Sequence, residues 1–175
     1  MNITDAIRLE ERSQFEAAAK VYEALLADDP NAVKALVNLT VLYWQATDLG
    51  FSAGHALAPD FVKRAGDRLH ALLNDEDAST PAPVEMRFWK KYIAWADLAE
   101  PLSLAFCRDL LQAHPAYLEP AMFIHLQTEG AECQAEAEQL VRQCATEGSV
   151  RNSYIQSILS SVTKRRNFAQ KQRPE

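Results

Sequence analysis

The sequence predicts an all-α protein made of stacked helical hairpins, with about nine helices and a capping helix at the C-terminal end. A segment with a leucine pair at its second and third positions occurs three times, at 24–32, 71–77 and 109–117. The pairs are 47 and 38 residues apart, and repeats of that size are typical of stacked hairpins. Only five glycines occur among 175 residues, which favours helices over sheet folds.

Apolar residues at helical spacing predict four helices in the first half of the chain, over 3–12, 15–28, 32–46 and 61–73. The second helix ends at Asp29-Pro30, because proline disfavours helical geometry in the residue before it. The third helix is apolar on two sides, so we expect it to pack between neighbours.

Segment 48–60 contains Gly50, Gly54 and Pro59 and is predicted to be a loop, with Asp60 as the N-cap of the helix that follows. Its apolar and aromatic residues, Phe51, His55 and Leu57, indicate that this loop folds back on the helices.

A Ser/Thr/Pro-rich linker at 74–83 leads into the second half of the chain. Five helices are predicted there. The first three cover 85–99, a segment that starts at Pro101 and ends before Pro115, and 117–127. The fourth ends near Glu147 and buries Leu140, Val141 and Cys144, and the last is capped by Ser149. The polar second face of the last helix suits a helix that closes an array against solvent.

Charge separates the chain into two predicted parts, a single domain over 1–163 and a basic, disordered tail over 164–175. Five cations against Glu175 give the tail a charge of +4, which leaves −10 for the domain in a chain of net charge −6. So acidic a domain argues against nucleic acid as the partner. The chain shows no apolar run long enough for a membrane span and no secretory signal, so a cytoplasmic location is expected.

The first 46 residues resemble a tetratricopeptide repeat followed by the front half of the next one. The residues that carry this resemblance are Ala6, Leu9, Phe15, Ala18, Tyr22, Asp29, Pro30, Leu36, Leu39 and Tyr43. Ala65 and Leu69 continue the pattern after an insertion of about 13 residues. Later in the chain Trp89, Tyr92 and Pro115 fit, whereas Ser103 and Cys107 replace the expected residues.

The resemblance implies a protein-binding surface, because in that family the first helix of each hairpin lines a concave groove. The residues placed on the groove side are Lys34, Val37, Asn38, Val41 and Gln45, with Arg87 and Lys91 supplying positive charge nearby. Amide and cationic side chains would suit an acidic segment or a terminal carboxylate of another protein. The leading hypothesis is therefore a non-enzymatic protein-interaction module without catalytic residues, cofactor or metal.

Two other functions stay open at this point. A dedicated chaperone or immunity-type partner could hold one basic client protein on the acidic domain. An enzyme or metal-binding protein could use His55, His70 or Cys107, although no catalytic motif is present and the three cysteines match no zinc pattern.

Overall fold

The structure, a computed structural model, confirms the all-α prediction. It describes residues 2–29, 32–74 and 82–171, with side chains through Arg166, and within these residues there are ten helices and no strand. The helices are α1 (Ile3–Glu11), α2 (Phe15–Asp28), α3 (Val33–Thr47), α4 (Leu49–Gly54), α5 (Pro59–Asn74), α6 (Val84–Leu98), α7 (Leu104–Ala113), α8 (Glu119–Gln127), α9 (Gln134–Cys144) and α10 (Val150–Lys171). None of the helices in the described part of the chain combines the length and the apolar character needed to cross a membrane.

The chain divides into two compact units, whereas the sequence predicted one domain over 1–163. Unit 1 contains residues 1–100 and 148–151, and unit 2 contains 101–147 and 152–175. The division arises because apolar side chains gather around two different helices, α3 in unit 1 and α8 in unit 2.

Helix α3 is the centre of unit 1 and packs against α2, α4, α5 and α6. Ten of its fifteen residues are buried, which is the outcome expected for a helix that is apolar on two sides. Aromatic residues fill the space around it: Tyr22, Tyr43, Phe61, Phe88, Trp89 and Tyr92 are almost fully buried. The indole N–H of Trp44 donates to Asp97 Oδ2 (2.7 Å), which joins the ends of α3 and α6.

The segment after α3 was predicted to be a loop, and this prediction is wrong in one respect. Asp48 accepts a hydrogen bond from the backbone N–H of Phe51 (2.8 Å) and so caps the short helix α4. The predicted fold-back is confirmed, because the Phe51 and His55 rings lie 5.1 and 4.8 Å from the Phe15 ring. Asp60 lies in the first turn of α5 and is not its N-cap.

In unit 2, α8 packs against α7 on one side and α9 on the other. Seven of its nine residues are buried, including Met122, Phe123 and Ile124. Helix α7 begins at Leu104 and not at the predicted Pro101, because the Ser103 side chain accepts a hydrogen bond from the Phe106 N–H (3.1 Å) and caps the helix there.

The predicted boundary between domain and tail at 163 lies inside a helix. Helix α10 continues to Lys171, since the lysine, arginine, alanine and glutamine that follow Thr163 have good helix propensity. Pro30 and Asn31 after α2, the linker residues 75–81 and the last part of the predicted tail, 172–175, lie outside the described residues.

Candidate functional site

The groove predicted on α3 does not exist as an exposed surface. Val37, Asn38 and Val41 are at most 1% exposed, because α3 is enclosed by its neighbours. These three residues are therefore unavailable to a partner. The other predicted residues do reach solvent: Lys34 is exposed, Gln45 is half-buried, and Arg87 and Lys91 are exposed on α6.

Asn38 belongs to a buried polar cluster around Glu10. Its Nδ2 donates to the Tyr22 hydroxyl (3.1 Å), and Glu10 Oε2 accepts from the backbone N–H of Val150 at the start of α10 (2.9 Å). Two buried acceptors of this cluster, Glu10 Oε1 and Asn38 Oδ1, have no hydrogen-bond donor among the described residues. Burial raises the pKa of the Glu10 carboxyl to about 8, against the opposing effects of the Val150 N–H and of Arg151.

The three residues of the enzyme hypothesis have ordinary structural surroundings. His55 stacks against Phe15 and Phe51, and His70 lies 3.0 Å from the side-chain nitrogen of Asn74. Cys107 is buried, and burial raises the pKa of its thiol to about 12, so the reactive thiolate is disfavoured. Among the described residues, no three His, Cys, Asp or Glu side chains group in a way that could hold a metal ion.

The candidate site is a groove in unit 2 between α9 and α10, which we call the α9–α10 groove. Its volume is about 830 Å³, within the range of ligand and peptide sites. The residues that line it are His125, Gln134, Ala137, Glu138, Val141, Arg142, Leu159, Ser160, Thr163, Lys164 and Arg166. Helix α9 packs on α8, and the groove lies between α9 and α10.

Val141 gives the α9–α10 groove an exposed apolar surface. The sequence predicted that this residue is buried, but it is 37% exposed and ranks among the few large apolar side chains that reach solvent. Helix α9 buries Leu140 and Cys144 and leaves Val141 exposed in the groove, which the buried residues Ala137 and Leu159 also line. An apolar strip of this kind is suited to the apolar face of another helix.

The charge of the α9–α10 groove is opposite to that of the chain. Arg142, Lys164 and Arg166 line it together with one acid, Glu138, although the whole chain carries a net charge of −6. Glu138 also accepts a hydrogen bond from Gln134 (3.0 Å), one turn earlier on α9. Cations beside an apolar strip favour a partner that is both apolar and acidic.

The loop between α8 and α9 holds His125 in place at the α9–α10 groove. The ring is 5% exposed, and its Nδ1 lies 3.0 Å from the backbone carbonyl oxygen of Glu132. Since a carbonyl can only accept, Nδ1 carries the hydrogen. Arg108 fixes the loop from α7 through a two-point salt bridge to the Glu132 carboxylate, at 2.9 and 3.2 Å.

Sequence reasoning missed this site because its parts come from three helices. Lys164 and Arg166 were noticed only as members of a basic tail, and Val141 only as an apolar core residue. A usable signal was present in α9, where Val141 and Arg142 are adjacent and Glu138 precedes Arg142 by one turn. That pattern indicates that α9 is amphipathic. It does not indicate which face of α9 the neighbouring helices leave exposed.

The α9–α10 groove combines residues from three helices, α8, α9 and α10. The groove offers a ligand apolar surface, hydrogen bonds from hydroxyl and amide groups, and positive charge. No protein-family model, curated protein or solved structure matches this chain.

Proposed function

We propose that this protein is a non-enzymatic interaction module that holds an acidic, amphipathic helical segment of another protein in the α9–α10 groove. The observation that carries the proposal is the combination of exposed Val141 with the three cations Arg142, Lys164 and Arg166 in one groove of a net acidic chain. Apolar contacts would supply most of the binding energy, and the cations would select the acidic partner and its orientation.

We also propose that the chain is a divergent member of the tetratricopeptide-like helical hairpin proteins that act in the cytoplasm. The packing of α1 on α2, of α2 on α3, and of α3 on both α5 and α6 supports hairpin stacking. Three free cysteines support a reducing compartment. In this proposal the partner site has moved from the first helices of the hairpins, where the resemblance located it, to the last two helices.

A synthetic peptide provides a direct test. The probe is a fluorescein-labelled 16-residue helix with leucine on one face and glutamate on the other, and the comparison peptide carries lysine in place of glutamate. We expect the acidic peptide to bind, with an affinity that falls as salt concentration rises, and the basic peptide to bind at least tenfold more weakly. Fluorescence anisotropy measures both affinities.

A matched pair of variants locates the site. The double change Arg142→Glu and Lys164→Glu reverses the charge of the α9–α10 groove and should weaken the acidic peptide at least tenfold. The double change Arg87→Glu and Lys91→Glu alters net charge equally on α6 and should leave affinity within about twofold. Equal loss in both variants, or equal binding of the acidic and basic peptides, would overturn the proposal. A basic client would instead prefer the lysine peptide.

A further inference from the structure

Three groups meet at one corner of the α9–α10 groove: Gly130, His125 and Arg166. Nη1 of Arg166 donates to the Gly130 carbonyl oxygen (3.1 Å). A methyl group added to Gly130 would lie 2.6 Å from Arg166 Cδ and 3.3 Å from His125 Cε1. The guanidinium stem and the imidazole therefore approach the same backbone atom, and the absence of a side chain at Gly130 permits this arrangement.

Both basic side chains keep hydrogen-bonding capacity that the protein does not use. His125 has Nδ1 engaged by the Glu132 carbonyl, and Nε2 makes no hydrogen bond within the described residues. The residue is only 5% exposed, and it lines the groove. Arg166 gives one of its N–H groups to Gly130, and a guanidinium has four more. Polar groups without a protein partner, on residues that line an open groove, are positions that a ligand can satisfy.

We infer, on the basis of the proposed function, that His125 and Arg166 form a carboxylate subsite at the end of the α9–α10 groove. One carboxylate of the bound segment accepts hydrogen bonds from the Arg166 guanidinium and from Nε2–H of the protonated His125 ring. Charge-assisted bonds of this kind are about twice as strong as neutral ones. The carboxylate is either an acidic side chain or the terminal carboxylate of the segment, since the two have the same chemistry.

The charges around His125 favour a bound anion. The charged side chains that share the groove with it are Glu138, Arg142, Lys164 and Arg166, and Glu132 in the adjacent loop is paired with Arg108. Three of the four charged groove residues are cations, so a carboxylate bound between His125 and Arg166 meets mostly positive charge.

Two adjacent arginines give a matched test in the intact protein. Arg166→Gln removes the charge inside the subsite, and Arg165→Gln removes the same charge from an exposed position next to it that does not line the groove. We expect the first change to weaken the glutamate-leucine peptide about 10- to 100-fold, the range for a charge-assisted hydrogen bond, and the second to change affinity less than twofold.

Changes to the peptide identify which of its carboxylates occupies the subsite. Amidation of the C-terminus should remove the effect of Arg166→Gln if the terminal carboxylate occupies the subsite, and single glutamate-to-glutamine changes should remove it if a side chain does. Equal sensitivity to both arginine changes would overturn the subsite while leaving peptide binding intact.

A small probe separates failure of the subsite from failure of the proposed function. Sodium acetate, titrated against chloride at constant ionic strength, should shift the NMR signals of the His125 ring, and Arg166→Gln should weaken this shift at least threefold. If acetate shifts the ring but no peptide binds, the proposed function fails and the subsite stands. If Arg166→Gln does not weaken the acetate-induced shift, the subsite fails.

Discussion

Replacing Glu10 with glutamine should change how the stability of unit 1 depends on pH. Glu10 is 4% exposed, and burial raises the pKa of its carboxyl from 4.5 to about 8 in the folded chain. The folded state thus keeps a proton that the unfolded state releases above pH 4.5. The stabilisation that this proton provides is complete below pH 4.5, falls as pH rises, and is lost once pH passes about 8.

The size of the effect follows from the two pKa values. Each pH unit between the two pKa values is equivalent to about 1.4 kcal/mol. The ionisation of Glu10 should therefore lower the wild-type free energy of unfolding by about 3 kcal/mol between pH 5 and pH 8. Glutamine cannot ionise, keeps an oxygen to accept the Val150 N–H, and offers an amide N–H to the Asn38 or Tyr22 oxygen. The Glu10→Gln protein should therefore lose about 3 kcal/mol less over the same interval.

Tryptophan fluorescence during urea unfolding is the suitable assay, because Trp44, Trp89 and Trp95 are the only tryptophans and all belong to unit 1. The matched control is Glu11→Gln, at the exposed neighbouring position whose Oε1 accepts from the Gly148 N–H at 3.3 Å. Its pH profile should run parallel to that of the wild type. A Glu10→Gln profile that is also parallel to the wild type would refute the retained proton.

Two further predictions concern unit 2. Gly130→Ala should lower the free energy of unfolding by about 1–2 kcal/mol, because φ is +82° and the new Cβ meets Arg166. Thermal unfolding followed by circular dichroism measures this loss. The control is Gly54→Ala, whose new Cβ meets open space and should not lower the free energy of unfolding. In native protein at pH 8, half-buried Cys133 should react with Ellman's reagent before buried Cys107 and Cys144, and mass spectrometry that finds equal labelling would contradict the burial of the latter two.

Helical periodicity was enough to predict most of the fold, since the apolar spacing of α2, α3 and α6 is a local property of the sequence. Errors arose where two local signals competed. At α7 a proline at 101 and a serine at 103 could both start the helix, and the serine side chain that caps it prevailed. At α4 two glycines suggested a loop, whereas Asp48 could cap a turn of helix and Phe51 could pack on Phe15.

The site could not be predicted for a different reason. Exposure of a helix face depends on which neighbours cover it, and this is a tertiary property. The sequence predicts Asn38 and Val41 on α3 as groove residues, but they are buried in a helix that packs against α2, α5 and α6. It predicts Val141 as a core residue, but this side chain is 37% exposed and lines the groove between α9 and α10. In both cases the residue type was compatible with either environment.

The discontinuity of unit 1 has a consequence for biosynthesis. Glu10 receives the Val150 N–H across 140 residues, and all of the chain between 101 and 147 belongs to the other unit. At translation rates of about 5–20 residues per second, a ribosome needs about 7 to 30 s to make the 140 residues from Glu10 to Val150. During this interval the Glu10 carboxyl lacks its backbone donor. Unit 1 therefore cannot complete its buried polar cluster until the chain has been made as far as Val150.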